Sequence, residues 1–234
     1  MSEPVIFFDN FSYKYSDGTE ALKEITFSVG EGESVGIIGH NGSGKSTLLM
    51  HTVGILEPDN RVKISGIPVT KSTLKDIRKK VGYIFQNPRD QLFMSSVKED
   101  VAFGPLNSGL SHEEAFHRTE HALELVGLKG FGDRISYHLS GGEMRRAAIA
   151  TVLSMSPEIL IMDEPSSDLD PRAKRDLAVF IRDLKCTKLI ASHDLDFIRR
   201  CTDRIALLFG GRIKAFGLTD EILDNTELLL TNGL

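Results

Sequence analysis

The chain has 234 residues, of which 41% are hydrophobic and 26% are charged, and its formal net charge is −5. This length and composition predict one globular domain with a sizeable core, and the absence of a dense Lys/Arg tract gives no support for a nucleic-acid partner. Apolar runs such as residues 205–209 are far shorter than the roughly 20 residues that cross a bilayer, and residues 1–4 do not start a signal peptide. Any membrane role is therefore expected to be peripheral.

The first thirty-odd residues are predicted to be β structure, because Ile25, Phe27 and Val29 alternate with polar residues. The apolar run 35–38 then leads into a loop that fits the pattern G-x-x-x-x-G-K-[ST]. In such a loop, glycines let successive backbone N–H groups turn inward around phosphates, and the helix that follows points its positive end at them. The predicted nucleotide-binding residues here are Gly39, His40, Asn41, Gly42, Ser43, Gly44, Lys45, Ser46 and Thr47.

Two of these side chains have specific expected roles. Lys45, near which the helix should start, is predicted to reach the β- and γ-phosphate oxygens of ATP, and the Ser46 hydroxyl is predicted to ligate Mg²⁺. The alternative is a glycine-rich turn that matches the pattern by accident. A predicted strand before the loop and a predicted helix after it favour the phosphate-binding interpretation.

Three further apolar runs each end in a polar residue of chemical interest. Residues 81–85 end at Gln86, residues 159–162 at Asp163 and Glu164, and residues 189–192 at His193. Near-continuous apolar strands are typical of a parallel sheet covered on both faces, and such sheets bind ligands beyond the carboxyl ends of their strands. The sequence therefore predicts that all four runs bring their polar residues to one edge of the sheet.

The expected chemistry at this edge is nucleotide hydrolysis. Asp163 is predicted to hold Mg²⁺ through water and Glu164 to polarise the attacking water. Gln86 is predicted to bind Mg²⁺ and water and to sense a partner, and His193 to contact the γ-phosphate. The alternatives are that the paired acids only cap the next element and that His193 is structural.

The middle of the chain reads as helical. Ser96 and Ser111 each precede a glutamate by three residues, which predicts two capping boxes that open helices. After Ser111, one helical face is predicted to comprise Ala115, Phe116, Thr119, Ala122, Leu123 and Val126, with Gly127 as the stop. From about Thr219 we expect a short helix and a tail. Cys186 and Cys201 match no metal-ligand spacing and are predicted to be reduced, structural thiols.

The segment Leu139–Glu143, with the sequence LSGGE, has two interpretations. Ser140 and Glu143 form a further capping-box pattern at the start of a predicted helix 143–153, which would be a sufficient structural role. The Ser140 hydroxyl, the glycines Gly141 and Gly142 and a helix N-terminus also make an anion site suited to a terminal phosphate. Two glycines near a helix start cost up to about 1 kcal/mol each, and close approach of a ligand would explain that cost.

With this ordered set of motifs, the chain resembles the ATP-binding subunits of ABC transporters over nearly its whole length. The resemblance implies an α/β, P-loop NTPase fold with a mostly parallel core sheet, an N-terminal antiparallel β subdomain and a helical subdomain that carries LSGGE. It implies one domain over residues 1–234, with an ATP-binding core at about 1–87 and 157–234 and a helical subdomain at about 88–156. It also implies that Tyr15 stacks on adenine. By the same resemblance, Ser140, Gly141, Gly142 and Glu143 contact the ATP held by the other protomer of a head-to-tail dimer.

A narrower resemblance follows Gln86. Residues 85–93, FQNPRDQLF, and residues 101–105, VAFGP, are similar to the ATPases of energy-coupling-factor and cobalt-type importers. That resemblance implies uptake of a vitamin or a transition-metal ion, a membrane scaffold subunit whose coupling helix sits against this stretch, and a substrate-binding membrane subunit. It implies a peripheral protein on the cytoplasmic face of the cell membrane, in a homodimer or a heterodimer of ATPase subunits. The transported solute is not encoded in this chain.

The chain departs from the family pattern in three places. The usual S-[AS]-G-L-D loop has Asp168 where glycine is common, and Asp tolerates a positive φ less easily than Gly. The common LSGGQ is LSGGE here. The sequence ends at Leu234, whereas many relatives carry a C-terminal extension that helps dimerisation, so weak dimers are expected without ATP or membrane subunits.

Two other functions stay open at this point. A soluble ABC-type ATPase that acts on DNA or ribosomes usually has two cassettes or a long coiled coil, and this sequence has one cassette and no heptad run. A regulatory relative would bind ATP without hydrolysing it. The filled positions at Lys45, Asp163, Glu164 and His193 argue against that reading.

Overall fold

Two β-sheets organise the part of the chain that the computed structural model describes, residues 3–234. The strands of the smaller, four-stranded sheet are β1 (Ile6–Lys14), β2 (Glu20–Val29), β4 (Val62–Ile64) and β5 (Ile67–Pro68). The strands of the larger, six-stranded sheet are β3 (Ser34–Ile38), β6 (Val81–Ile84), β7 (Ile159–Asp163), β8 (Thr187–Ala191), β9 (Arg204–Phe209) and β10 (Arg212–Leu218). The smaller sheet is antiparallel, in the order β2-β1-β4-β5.

Nine α-helices lie within the described residues. The first five are α1 (Lys45–Thr52), α2 (Leu74–Lys80), α3 (Val97–Asn107), α4 (His112–Leu125) and α5 (Gly141–Leu153). The others are α6 (Pro171–Asp183), α7 (Leu195–Cys201), α8 (Thr219–Leu223) and α9 (Thr226–Thr231). None of the helices within residues 3–234 has the length and apolar character of a membrane span.

The larger sheet has the order β10-β9-β3-β8-β7-β6, and only β10 runs antiparallel to its neighbour. The prediction of a mostly parallel core sheet is therefore confirmed. The four apolar runs identified in the sequence form β3, β8, β7 and β6, which are adjacent in the sheet. Because adjacent parallel strands end at the same edge, the residues that follow them converge there.

Both faces of the larger sheet are covered, and this explains why its strands are apolar throughout. Along β7, Ile159 and Ile161 pack into a core shared with α1 and the smaller sheet, whereas Leu160 and Met162 pack into a second core with α5 and α6. All five residues of β7 are buried. A strand buried on both faces carries no period-2 alternation.

The helices begin after Ser96 and Ser111 as predicted, but the prediction of a reciprocal capping box at each serine is wrong. Each serine hydroxyl accepts a backbone N–H from the residue three positions on, at 3.4 Å and 3.2 Å respectively. The glutamates do not return the bond, because the Glu99 carboxylate accepts from the Ser95 hydroxyl and the Glu114 carboxylate binds Arg118.

Two other local expectations need correction. On α4, Ala115, Thr119, Ala122 and Leu123 are buried, as is Val126 directly after the helix, but Phe116, predicted for the same face, is 39% exposed. Beyond Thr219, the chain forms two short helices, α8 and α9, rather than one helix and a tail.

The two thiols are free within the described part of the chain. Cys201 is buried in α7, and burial raises the pKa of its thiol to about 12. Cys186 is half-buried, and burial raises its pKa as well. Raised pKa values keep both groups protonated at neutral pH, in agreement with a structural role.

Candidate nucleotide site

The glycine-rich loop connects β3 to α1, and two of its glycines are required by the surrounding backbone. Gly44 forms the N-cap of α1 with φ 107°, and a Cβ there would lie 2.7 Å from the carbonyl oxygen of Ala21. At Gly39, with φ 156°, a Cβ would lie 2.2 Å from the carbonyl oxygen of Leu208. Both positions therefore exclude any other residue type, since neither backbone neighbour can move aside.

Lys45 is buried and turned back over the loop. Its Nζ donates hydrogen bonds to the carbonyl oxygens of Gly39 at 2.8 Å and of His40 at 3.2 Å. The same ammonium lies 3.8 Å from a carboxylate oxygen of Glu164. Burial lowers the pKa of Lys45, while Glu164 and Asp163 act in the opposite direction. The ammonium is thus held at the mouth of the loop, next to the two acids that end β7.

The carboxylate of Glu164 is buried and fixed from the neighbouring strand. Ser192, which follows β8, donates its hydroxyl to Glu164 Oε2 at 3.0 Å. The backbone N–H of His193 donates to Oε1 at 3.1 Å, and the His193 ring Nδ1 lies 2.9 Å from Oε2. Glu164 itself has φ 46°, the left-handed region that non-glycine residues rarely adopt. Such strain is maintained where the surroundings over-determine it, which is common at functional sites.

Asp163 is buried behind Glu164 with an unsatisfied oxygen. Its Oδ1 has no hydrogen-bond partner within residues 3–234. Burial raises the pKa of this carboxyl, and the Ser46 hydroxyl and Lys45 act in the opposite direction. The Tyr83 hydroxyl, also buried, lacks a partner in the described structure. Burial raises the pKa of Tyr83, and the nearby Asp163 carboxylate raises it further.

A cavity of about 570 Å³ opens over the glycine-rich loop. Its lining includes these residues predicted from sequence: Tyr15, Asn41, Gly42, Gly44, Lys45, Ser46, Thr47, Gln86 and Glu164. Tyr15 lies beside α1, with its hydroxyl 2.9 Å from Thr47 Oγ1. The structure therefore brings the tyrosine, the loop, the glutamine after β6 and the carboxylate after β7 around one cavity.

The other predicted residues of this region lie just outside that lining. Gly39 and Ser43 are enclosed within the loop, where the Ser43 hydroxyl is buried. His40 turns its ring toward Phe209, with 5.3 Å between the ring centroids. The side chain of His193 is 56% exposed and contacts Glu164 from the solvent side.

The LSGGE segment is not brought to this cavity. Its capping box is formed in both directions, with Glu143 N–H donating to Ser140 Oγ at 3.3 Å and Ser140 N–H donating to Glu143 Oε2 at 2.8 Å. Gly141 borders a separate cavity of about 320 Å³, and Gly142 borders another of about 270 Å³. A Cβ added to Gly141 would meet no atom within 4 Å. The fold of this chain therefore gives no reason for glycine at Gly141.

The departure at Asp168 is structurally real. Asp168 has φ 62°, so the position does require the left-handed region that glycine adopts most easily.

The sequence pattern missed Ser192 as a contact of Glu164. Its only sequence signal is its place directly before His193 at the end of an apolar run. Sequence reasoning also missed part of the cavity wall, namely Thr19, Glu20, Ala21, Lys23, Gly210 and Gly211.

Comparisons with known proteins agree with this geometry. Residues 22–167 match the family model described as ABC transporter. A putative ABC transporter ATP-binding protein of Geobacter sulfurreducens is 50% identical over 99% of this chain and 93% of its own length. The energy-coupling factor transporter ATP-binding protein EcfA of Methanosphaera stadtmanae is 45% identical over 94% of this chain and 81% of its own length.

Solved structures give the same result. The structure of CbiO1 from Clostridium perfringens, part of the ABC transporter complex CbiONQ, superposes with a TM-score of 0.87 at 34% identity, covering 98% of this chain and 94% of that one. A dimeric, post-hydrolysis ATP-binding cassette bound to ADP and phosphate superposes with a TM-score of 0.83 at 27% identity, covering 92% of this chain and 98% of that one. The chain therefore belongs to the ABC transporter family, in which it is an ATP-binding, ATP-hydrolysing subunit.

Proposed function

We propose that this chain is the ATPase subunit of an energy-coupling-factor or cobalt-type importer and that its ATP turnover powers uptake of a vitamin or a transition-metal ion. The observation that carries the hydrolytic part is the Glu164 carboxylate, held by Ser192 and His193 and 3.8 Å from Lys45 at the glycine-rich loop. The importer type is supported by the likeness to EcfA and to CbiO1 over nearly the whole chain.

In the proposed reaction, water attacks the γ-phosphorus of ATP and the bond to the β-phosphate oxygen breaks, giving ADP and phosphate. The Glu164 carboxylate orients that water and accepts its proton, as a general base does. Lys45 balances phosphate charge from the loop, and His193, whose ring contacts Glu164, is the proposed partner of the γ-phosphate. Tyr15, which lines the same cavity beside α1, is the proposed adenine platform.

The residues around Asp163 fit a magnesium ion. Magnesium prefers hard oxygen ligands, and the Ser46 hydroxyl, the Gln86 amide oxygen and the Asp163 carboxylate are of that kind. The unpartnered, buried Oδ1 of Asp163 is the observation that supports such a use. The ion would supply neutralisation of the charge that develops on the phosphate oxygens.

We further propose that two ATPase subunits, identical or not, sandwich ATP head to tail. The LSGGE segment supports this, because Ser140, Gly141, Gly142 and Glu143 border no part of the chain's own nucleotide cavity. The open space at Gly141 leaves room for a phosphate presented by the other subunit. The helix N-terminus there favours an anion electrostatically.

The proposed membrane contact is an exposed aromatic pair in the segment that resembles importer ATPases. Phe93 is 59% exposed and Phe103 is 41% exposed, and their rings pack edge to face with centroids 5.0 Å apart. Exposed apolar clusters of this kind mark interaction sites. A scaffold subunit docked there, in complex with a substrate-binding membrane subunit, would hold this chain peripherally at the cytoplasmic face of the membrane.

The proposed division of the chain follows from the same arrangement. The nucleotide cavity is lined by residues of the proposed ATP-binding core, 1–87 and 157–234, whereas α3, α4 and α5 fall within the proposed helical subdomain, 88–156. The aromatic pair and LSGGE both lie in the helical part. A membrane partner would thus contact the helical subdomain, whose LSGGE segment is proposed to bind the ATP held by the other subunit.

The test is replacement of the carboxylate by its amide. Glu164→Gln keeps the shape of the side chain but removes the base, so turnover should fall by roughly 10²–10⁴ while ATP binding survives. Turnover is measured as phosphate release by the complex assembled with its membrane subunits, and binding by fluorescence titration of the purified chain. The exposed Glu31 supplies the control, Glu31→Gln, which should leave both unchanged. Undiminished turnover in Glu164→Gln would remove this residue from its proposed role.

A further inference from the structure

Arg145 is a buried cation whose burial the fold does not explain. It lies in α5, four residues after Gly141 and so about one helical turn into the helix, and it is 2% exposed. Its Nη1 donates to the carbonyl oxygen of Phe85 at 3.0 Å, but its Nε has no partner within residues 3–234. A buried charge is retained at a cost that an apolar side chain of similar volume would avoid. A guanidinium with an unused donor points to a second arrangement in which that donor is used.

Within residues 3–234, the one side-chain hydrogen bond of Arg145 holds the loop that carries Gln86. Phe85 directly precedes Gln86, and its N–H donates to the Gln91 side chain at 3.3 Å. Gln91 in turn donates to Ala148 of α5 at 2.8 Å and to Thr151 Oγ1 at 2.6 Å. The Gln86 loop is therefore bonded to α5 at two separate points, so a displacement of α5 must move the loop with it.

Arg145 also faces the loop that follows Glu164. Arg145 and Asp168 line the same cavity of about 320 Å³, together with Gly141 and Asn87. Burial lowers the pKa of Arg145, and the Asp168 carboxylate acts in the opposite direction. Asp168 is exposed and adopts φ 62°, where glycine would be less strained. The acidic side chain thus stands at a position that its backbone conformation does not favour, opposite a cation that lacks a full set of partners.

We propose that Arg145 is a positioning residue that couples three segments of the site: it ties the Gln86 loop to the LSGGE helix and pairs with Asp168 of the loop after Glu164 when the nucleotide site closes. The proposal rests on the proposed roles of Gln86 and Glu164 in ATP hydrolysis. In this structure the bond to Phe85 is formed, the Nε–H has no partner within residues 3–234, and Arg145 and Asp168 line the same cavity. A shift of either loop into that cavity would complete the ion pair.

The first variant is Arg145→Met, which keeps the volume and removes the donors and the charge. Its melting temperature should be equal to that of the parent chain or higher, because an apolar side chain suits a buried position. The KM for ATP should stay within about twofold, and kcat of the assembled transporter should fall about ten- to a hundredfold, since a small misplacement of a reacting group has effects of that size. Hydrogen–deuterium exchange at residues 85–91 should be faster. Arg118→Met, which removes a partly exposed arginine of α4, is the control and should change none of these.

The second variant tests the ion pair without risk to the core. Asp168→Asn removes the charge at an exposed position and keeps a side chain that tolerates the left-handed region. It should lower kcat with no change in melting temperature, and the double variant with Arg145→Met should be no slower than Arg145→Met alone. Arg145→Lys should recover part of the lost kcat because it restores the charge.

Three results would overturn the proposal. The first is a kcat in Arg145→Met equal to that of the parent chain, and the second is such a kcat in Asp168→Asn. The third is losses in Arg145→Met and Asp168→Asn that multiply in the double variant, as independent sites do. Failure of the proposed hydrolytic role of Glu164 can be told apart from failure of the Arg145 proposal, because it would appear as full turnover in Glu164→Gln. Inactive Glu164→Gln beside fully active Arg145→Met would reject the coupling alone.

Discussion

At the scale of single residues, one buried histidine makes the stability of this chain depend on pH. His51, in the last turn of α1, is 1% exposed and packs edge-on against Phe11 and Tyr13, with ring centroids 4.7 Å and 4.4 Å away. Its Nδ1 lies 3.2 Å from the carbonyl oxygen of Glu57, and its Nε2 has no partner in the described residues. Burial lowers the pKa of His51 from 6.5 to about 4.

The sign of the effect follows from which state binds the proton. Between the two pKa values the unfolded chain holds a proton on His51 that the folded chain does not, so lower pH favours unfolding. The free energy of unfolding should therefore fall by about 3 kcal/mol as the pH drops from about 6.5 to about 4. Urea unfolding over that range measures it. His51→Gln should flatten this part of the profile, and the exposed His121→Gln should not. An unaltered profile in His51→Gln would assign the acid sensitivity to other groups.

A second residue-scale prediction concerns Ser192, whose hydroxyl holds the Glu164 carboxylate at 3.0 Å. Ser192→Ala should lower kcat about tenfold and leave ATP affinity unchanged, because a hydrogen bond to a charged group contributes about 1.5–3 kcal/mol and His193 still orients the carboxylate. Phosphate release by the assembled complex reports kcat. Ser192→Thr keeps the hydroxyl and should retain most of the activity. Equal losses in the two variants would show that packing, rather than the hydroxyl, matters at this fully buried position.

At the scale of elements, the start of α5 contains residues that stabilise the helix and residues that the helix does not require. Three S-x-x-E patterns predicted three reciprocal capping boxes, and only the one at Ser140 is complete. The spacing specifies what the side chains can reach, but Glu99 binds the neighbouring Ser95 and Glu114 binds Arg118. Those competing donors are visible only once the turns are built. The complete capping box at Ser140 is compatible with LSGGE as a helix cap and with LSGGE as a phosphate-binding segment. A substitution at one of the glycines is therefore needed to distinguish these two roles.

Gly141→Ala tests that discrimination. A Cβ there meets no atom of this chain within 4 Å, and alanine favours helix more than glycine does. The variant should therefore be as stable as the parent chain or more stable by up to about 1 kcal/mol, with unchanged ATP binding to the isolated chain. In a Glu164→Gln background, which prevents turnover, ATP-dependent dimerisation measured by analytical ultracentrifugation should be lost.

The matched control is Gly30→Ala, in the turn before β3 at the opposite end of the sheet from the glycine-rich loop. It introduces only an ordinary contact with the Glu33 side chain, at 3.5 Å, and should keep ATP-dependent dimerisation. If Gly141→Ala dimerises as well as Gly30→Ala does, LSGGE supports only its own helix. Loss of ATP binding by the isolated Gly141→Ala chain would also contradict the assignment to the other subunit's nucleotide.

At the scale of the whole molecule, the sequence was enough to predict that the motifs converge. It was not enough to predict the side-chain contacts that surround them. Apolar runs buried on both faces, each ending in a functional residue, were enough to predict that the residues after β3, β6, β7 and β8 meet at one edge. The insertion of β8 between β3 and β7 arises from long-range pairing, which leaves no local pattern. The contact of Ser192 with Glu164 and the contact of Arg145 with Phe85 depend on that pairing and on helix packing. These contacts therefore required the structure.

The aromatic pair Phe93 and Phe103 carries the prediction about assembly. The two rings pack on each other at the surface of the helical part while the adjacent Leu92 is buried, so the pair is exposed without being needed to fill the core. Burying an exposed Phe against a partner contributes about 1.5–3 kcal/mol. Replacing both by Ser should therefore weaken assembly with the membrane subunits by about 10²–10⁴, and leave the melting temperature and ATP binding of the isolated chain nearly unchanged.

Co-purification of the tagged chain with its membrane subunits measures this effect, with ATP binding as the readout for an intact nucleotide site. Phe116→Ser is the matched control, because Phe116 is a similarly exposed aromatic residue on α4 with 39% exposure. It should co-purify as the parent chain does. Undiminished co-purification of the Phe93→Ser, Phe103→Ser double variant would place the membrane contact elsewhere, while equal losses in both variants would indicate a wider apolar interface over the helical part. Loss in the double variant alone would assign the membrane contact to the surface formed by Phe93 and Phe103, which lies in the segment between Gln86 and the end of α3.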